Sequence, residues 1–177
     1  MSNIKKGMDI SEIAAIVSEV LEANGITAVL SGGAAVSIYS ENRYQSHDLD
    51  FVTSSSLKDI EKILVNLGFS NSKGRYFTHE LTEFYLEFPP GPLAIAGEYI
   101  REWKQLQTKF GAIQILTPTQ CVMDCLAAFY FWNDLQSLDQ AVWVAQSAEI
   151  DLPFIAEWSE KEGETEKFQK FAKRLNK

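Results

Sequence analysis

The segment Ser31-Gly32-Gly33-Ala34-Ala35, with Ser46-His47-Asp48-Leu49-Asp50-Phe51-Val52 shortly after it, decides how the chain is read. Ile26 to Ser31 is a short apolar run containing Thr27 and Val29, the pattern of a buried strand. Gly32 and Gly33 break it, and Ala34 to Ser40 reads as a short helix. His47 to Thr53 reads as a second strand. Residues two apart on a strand share a face, so Asp48 and Asp50 project together while Leu49 and Phe51 turn toward a core. Adjacent carboxylates repel, and one resists ionising unless a cation sits between them. A hard divalent ion such as Mg²⁺, which takes a few carboxylates together with water and phosphate oxygens, is the economical solution.

The glycine pair supplies the other half of that arrangement. Glycine permits a tight turn and close approach of backbone to a ligand. The helix start at Gly33, Ala34 and Ala35 offers free N–H groups and a positive dipole end to a phosphate. Metal-assisted phosphoryl or nucleotidyl transfer usually adds a third carboxylate, as ligand or as proton acceptor. Glu83 and Glu87 are the candidates, both on or beside the strand Phe84 to Phe88. Glu87 is preferred because it interrupts the apolar frame Tyr85-Leu86-Glu87-Phe88, where a carboxylate needs a reason to be. Arg43, just before the aspartate strand, is a candidate to reach phosphate or clamp an acidic side chain. Ser46 is a candidate to orient Asp48 or to touch phosphate. His47 is read as a strand residue facing away from Asp48, and Asp124 and Asp134 as helix and cap residues.

Outward from this segment the order is helix, strand, helix, strand, helix, several strands, then helices to the end. Ser11 to Asn24 is a helix stopped by Gly25, and Leu57 to Leu67 is a second amphipathic stripe stopped by Gly68. Between Phe69 and Ile115 the pattern is strand-like, clearest at Arg75 to His79, Phe84 to Phe88 and Gly111 to Leu116, with Pro89-Pro90-Gly91-Pro92 as a hard break. Helices are expected from Pro118 or Thr119 to Trp132, Leu138 to Ala148, Leu152 to Glu162 and Glu164 to Leu175. The shift of pattern near Thr117 divides an α/β core, residues 1–116, from a helical lobe, residues 117–177.

The 177 residues carry 16 Lys+Arg against 24 Asp+Glu, a net charge of −8 that argues against a protein coating nucleic acid with a basic face. It leaves room for a local anion pocket or an acidic metal site. Met1 to Asp9 has lysines but no apolar run behind them, so no signal peptide is expected, and no apolar stretch is long enough for a membrane span. A soluble, cytoplasmic protein is expected. Cys121 and Cys125 lie one helical turn apart and are read as buried, reduced thiols rather than a disulfide or a metal pair. The aromatic run Phe129 to Trp132 is read mainly as packing.

At Gly32-Gly33-x-Ala35, Arg43, Ser46-x-Asp48-Leu49-Asp50-Phe51 and Leu86-Glu87-Phe88 the chain resembles the nucleotidyltransferase superfamily, whose fold is shared with DNA polymerase beta. Within it, the chain is similar to small bacterial proteins related to AbiEii-type toxins of toxin–antitoxin systems. Leu116-Thr117-Pro118, Asp124-Cys125-Leu126-Ala127 and Trp132-Asn133-Asp134 carry the likeness into the second lobe. The resemblance implies a mixed β-sheet flanked by helices, two Mg²⁺ ions (with Mn²⁺ as a substitute) and an NTP donor. It implies metal ligation and catalysis by Asp48, Asp50 and Glu87. It implies a nucleotide-binding stretch of Ser31, Gly32, Gly33 and Ala34 with Arg43 and Ser46. A nucleoside monophosphate would pass to a hydroxyl on tRNA, a protein or a small molecule, and an antitoxin protein would be a partner. Many relatives carry Ser or Thr where this chain has Ala34, and Arg where it has Cys125. These departures keep a second expectation in view, a catalytically weak nucleotide-binding protein that acts through a protein partner.

Overall fold

The computed structural model describes residues 4–176. Residues 1–3 and 177 lie outside the described residues. The chain starts with α1 (Ile10–Ala23), whose Asp9 forms a capping box with Glu12. Gly25 closes it with a φ of +75°, and the Ile26 N–H turns back to Leu21 O at 2.9 Å. That closure delays the first strand, expected from Ile26, so that β1 spans only Val29–Ser31. Then follow α2 (Gly32–Tyr39) and β2 (Asp48–Val52). Next come α3 (Leu57–Asn66), capped by Ser56, then β3 (Ser70–Lys73), β4 (Tyr76–His79) and β5 (Thr82–Glu87). A small hairpin, β6 (Ala94–Ile95) and β7 (Glu98–Tyr99), precedes β8 (Lys104–Thr108) and β9 (Gly111–Ile115). Four helices end the chain: α4 (Pro118–Trp132), α5 (Leu135–Ser147), α6 (Leu152–Lys161) and α7 (Thr165–Leu175).

Seven strands form one mixed sheet in the order β3-β4-β5-β2-β1-β9-β8. β1 runs antiparallel to β2 and parallel to β9, and β2 runs parallel to β5. This is the expected mixed α/β architecture, one sheet flanked by helices and followed by a helical segment. The edge strands β3 and β8 escape sequence reading because they are polar: all four residues of β3 are exposed, and β8 reads Lys-Gln-Leu-Gln-Thr. Both are held by hairpin pairing rather than by an apolar face.

One face of the central strands is built for burial. Leu49, Phe51, Leu86 and Phe88 are fully buried, and Phe51 and Phe88 stack with ring centroids 5.9 Å apart. α1 lies along β9, where Ser18 Oγ accepts the Gln114 N–H and Glu19 Oε2 accepts that of Ala112, each at 3.0 Å. These side chains satisfy strand donors that have no partner strand there. The buried cluster continues into the last helices through Leu116, Cys121, Leu126 and Tyr130. The Tyr39 hydroxyl donates to Leu116 O at 2.6 Å across that junction. Thr117 caps α4 in a capping box with Gln120, and Pro118 occupies the first turn. α5 starts at Leu135, ahead of the expected Leu138, because Asp134 accepts from the N–H groups of Gln136 and Ser137. Cys121 and Cys125 are free and buried.

Candidate active site

Strand register assembles the acidic cluster. Asp48 pairs with Tyr85, and Asp50 pairs with Glu87. Register partners share a face, so the three carboxylates project from the side opposite Leu49, Phe51 and Leu86. Asp48, Asp50 and Glu87 are each half-buried and offer carboxylate oxygens within 4.8 Å of one another. Burial first, then the charges of Asp48 and Glu87, push the Asp50 carboxyl up to about 7. A carboxyl held that high is short of positive charge. An all-carboxylate oxygen set with this deficit fits a hard divalent ion, Mg²⁺ or Mn²⁺. Glu83 is set apart from the cluster: it is largely exposed, 4.0 Å from His47 Nδ1. The His47 ring lies 6.2 Å from that of Phe84.

The glycine turn meets the cluster from β1. Ser31 is in register with Asp50, and its Oγ donates to Asp50 O at 3.4 Å. Gly32 has a φ of +60°, and a Cβ there would stand 2.7 Å from Asp50 Oδ2. A Cβ on Gly33 would stand 3.0 Å from both Ser46 Oγ and the Tyr44 ring. Gly32 is thus favoured by its left-handed backbone as well as by close approach, and Gly33 by close approach alone. The side chains of Ala34 and Ala35 are fully buried, which leaves only backbone N–H groups at this end of α2 for a ligand.

A short relay joins the turn to the carboxylates. Ser37 Oγ donates to Gly33 O at 3.0 Å and accepts from the Ser46 N–H at 2.9 Å. Ser46 Oγ in turn donates to Asp48 Oδ1 at 2.5 Å. Ser46 thus orients Asp48 and is itself fixed by α2. The Arg43 side chain goes elsewhere: its Nη1 donates to Gln146 Oε1 on α5 at 2.8 Å.

Three residues that sequence reasoning did not place in the site adjoin it. Tyr85 shares the register position of Asp48, and Tyr76 that of Glu87. Their ring centroids are 5.9 Å apart. The Tyr76 hydroxyl is raised chiefly by the Glu87 charge, and Tyr85 chiefly by burial and then by Asp48. Tyr85 was findable, since it lies two residues before Glu87 on the same strand. Tyr76 depends on the β4–β5 pairing, which no local pattern announces. The third is Asp124 on α4, which lines a small cavity with Ser31 and whose carboxyl is pushed up by burial to about 6.

No protein-family model and no curated protein matches the chain. Among solved structures it is similar to the crystal structure of ANT(2'')-Ia in complex with adenylyl-2''-tobramycin. The TM-score is 0.50 at 14% sequence identity, over 93% of this chain and 97% of that one. The solution structure of the antibiotic-resistance factor ANT(2'')-Ia aligns over 79% of this chain and 85% of that one, with a TM-score of 0.47 and 15% identity. At this identity the likeness to the crystal structure is one of fold: the mixed sheet and its flanking helices are similar to those of that nucleotidyltransferase.

Proposed function

We propose that this protein is a Mg²⁺-dependent nucleotidyltransferase that moves a nucleoside monophosphate from an NTP to an acceptor hydroxyl. The observation that carries the reading is the meeting of Asp48, Asp50 and Glu87 beside the Gly32-Gly33 turn. The three carboxylates would hold the metal, two ions in the fullest form, with Mn²⁺ as a substitute. Bound there, the metal would neutralise the triphosphate and favour departure of pyrophosphate. The N–H groups of Gly33 and Ala34 would receive phosphate oxygens at the positive end of α2. Ser46 Oγ donates to Asp48 Oδ1 and would orient it toward the metal, and Ser31 Oγ donates to Asp50 O at the end of β1. The acceptor oxygen forms a bond to the α-phosphorus while the bond from that phosphorus to the bridging oxygen breaks. Pyrophosphate leaves with the electron pair, and the hydroxyl proton passes to a base, a role proposed for Glu87.

Residues 1–116 would then carry the phosphate chemistry, with the 117–177 lobe packed on the core beside it. The acceptor classes are a small molecule, a protein side chain and tRNA. The adenylylated small molecule in the similar crystal structure makes hydroxylated small molecules the first to try. The AbiEii-type resemblance suggests a cytoplasmic toxin with an antitoxin partner, which a neighbouring antitoxin gene would support. The direct test incubates purified protein with α-labelled NTPs, Mg²⁺ and cell extract. Label should move to an acceptor with wild type and not with Asp48→Ala. Absence of transfer with either Mg²⁺ or Mn²⁺, or transfer undiminished in the variant, would overturn the proposal.

A further inference from the structure

A cavity opens on the sheet face that carries the acidic cluster. Val52 lies two residues beyond Asp50 on β2, on the same face and about 7 Å further along the strand. Val52 and Ser31 line a cavity of about 200 Å³ there. Pro90, Pro92 and Ile95 line it from the segment around β6, and Leu116 and Asp124 from the start of the helical lobe. α4, which carries Asp124, packs against both α2 and β6. Ser31 joins the cavity to the acidic cluster, because its hydroxyl is already turned to Asp50 O at 3.4 Å. Asp124 is the one ionisable side chain in the walls. Among the described residues it belongs to no ion pair, and burial pushes its carboxyl up to about 6. Above that pH it is an anion with two acceptor oxygens among apolar walls. A carboxylate kept in such surroundings is costly unless donors meet it.

The geometry points to this cavity as the nucleobase subsite, with Asp124 as the residue that selects the base, guanine. The cavity begins beside both Asp50 and the glycine turn, where the nucleoside of a bound triphosphate has room. A hydroxyl-rich acceptor would leave most of its polar groups unpaired against proline and aliphatic walls. A nucleobase is a flat ring whose polar atoms are confined to its edge, which suits apolar walls with one placed polar group. Guanine alone presents two N–H donors side by side, N1–H and the 2-amino group. A carboxylate accepts them as a bidentate, charge-assisted pair. Adenine and cytosine set a ring-nitrogen acceptor beside their amino group, and uracil flanks its single N–H with carbonyls. Each would turn a lone pair toward an oxygen of Asp124. Adenine nucleotides, still held through phosphate and metal, bind more weakly than guanine nucleotides on this account. The triphosphate part rests on the transferase reading above; the base part rests on the cavity.

Calorimetry on the full chain tests it. With Mg²⁺, GTP should bind about tenfold more tightly than ATP, CTP or UTP, the scale of one bidentate base contact. Inosine triphosphate, which lacks the 2-amino group, should bind more weakly than GTP. Asp124→Asn presents one acceptor and one donor, so GTP should weaken about tenfold while ATP holds or improves, and the preference inverts. Equal affinity of the wild type for the four triphosphates, inosine triphosphate bound as tightly as GTP, or an equal loss for all four in Asp124→Asn would overturn the assignment. Should Asp124→Asn fail to fold, GTP against inosine triphosphate in the wild type decides the point. Guanosine and adenosine, titrated in EDTA, keep the two readings apart because neither needs metal or phosphate. If no Mg·NTP binds, the transferase reading falls; guanosine bound in preference to adenosine then upholds the pocket, and no such preference overturns it.

Discussion

Asp50 carries the highest electrostatic cost in the site, and that cost has a measurable sign. Its folded carboxyl titrates near 7, raised by burial and by Asp48 and Glu87, against about 3.9 when unfolded. A raised carboxyl binds its proton more tightly in the folded state. Its contribution is therefore favourable below pH 4 and is lost as pH rises from about 4 to about 7. Asp124, raised to about 6, acts in the same direction. In EDTA, denaturant unfolding should show stability falling across this window. Asp50→Asn should flatten the fall and stabilise the protein at pH 8 by about 2 kcal/mol, allowing for solvent screening. Adding Mg²⁺ at pH 8 should raise the wild-type melting temperature and leave that of Asp50→Asn unmoved. Gly32→Ala belongs to the same scale. Its Cβ would strike Asp50 Oδ2 at 2.7 Å from a left-handed backbone. It should lose ~1–2 kcal/mol of stability, together with Mg²⁺ binding by calorimetry.

At the scale of elements, the site is a consequence of strand register. Pairing of β2 with β5 sets Asp50 opposite Glu87 and, on the other face, Leu49 beside Leu86. The apolar face therefore holds the acidic face in place. Phe88→Ala, at a fully buried ring stacked on Phe51 and edge-on to Phe77, should cost ~3–5 kcal/mol by urea unfolding. Metal affinity should fall with it although no ligand is touched; a variant that loses stability but binds Mg²⁺ as wild type would contradict this coupling. Much of this was legible beforehand. The spacing of Asp48 and Asp50 states their common face, and the apolar frame around Glu87 separates it from Glu83. The neighbours of those strands were not legible. Parallel pairing of β2 with β5, the polar edge strands β3 and β8, and the arrival of Tyr76 and Asp124 depend on contacts between distant segments. Ser46 could be read as a partner of Asp48, whereas the approach of Arg43 to Gln146 could not.

For the molecule as a whole, the buried cluster runs without interruption from α1 and the sheet into α4, α5 and α6. Tyr39 and Leu116 are joined by a buried hydrogen bond at the junction. Arg174 pairs with Asp139, linking the last helix to α5. The two lobes should therefore unfold together, so far-UV circular dichroism and tryptophan fluorescence, which samples Trp103, Trp132, Trp143 and Trp158, should give coincident transitions. Two separated transitions would show the lobes to be independent. The net charge of −8 acts at this scale as well. Transfer to a polyanionic acceptor such as tRNA must work against the overall field and should depend steeply on salt, whereas transfer to a small neutral or cationic acceptor should not.

The central claim is that Asp48, Asp50 and Glu87 together recruit a divalent ion and, through it, a nucleoside triphosphate. Calorimetric titration of a non-hydrolysable ATP analogue, with Mg²⁺ and again in EDTA, into wild type and Asp50→Asn addresses it most directly. The account predicts binding that requires Mg²⁺ and disappears in a folded Asp50→Asn. Binding of equal strength in EDTA, or in the variant, would contradict it.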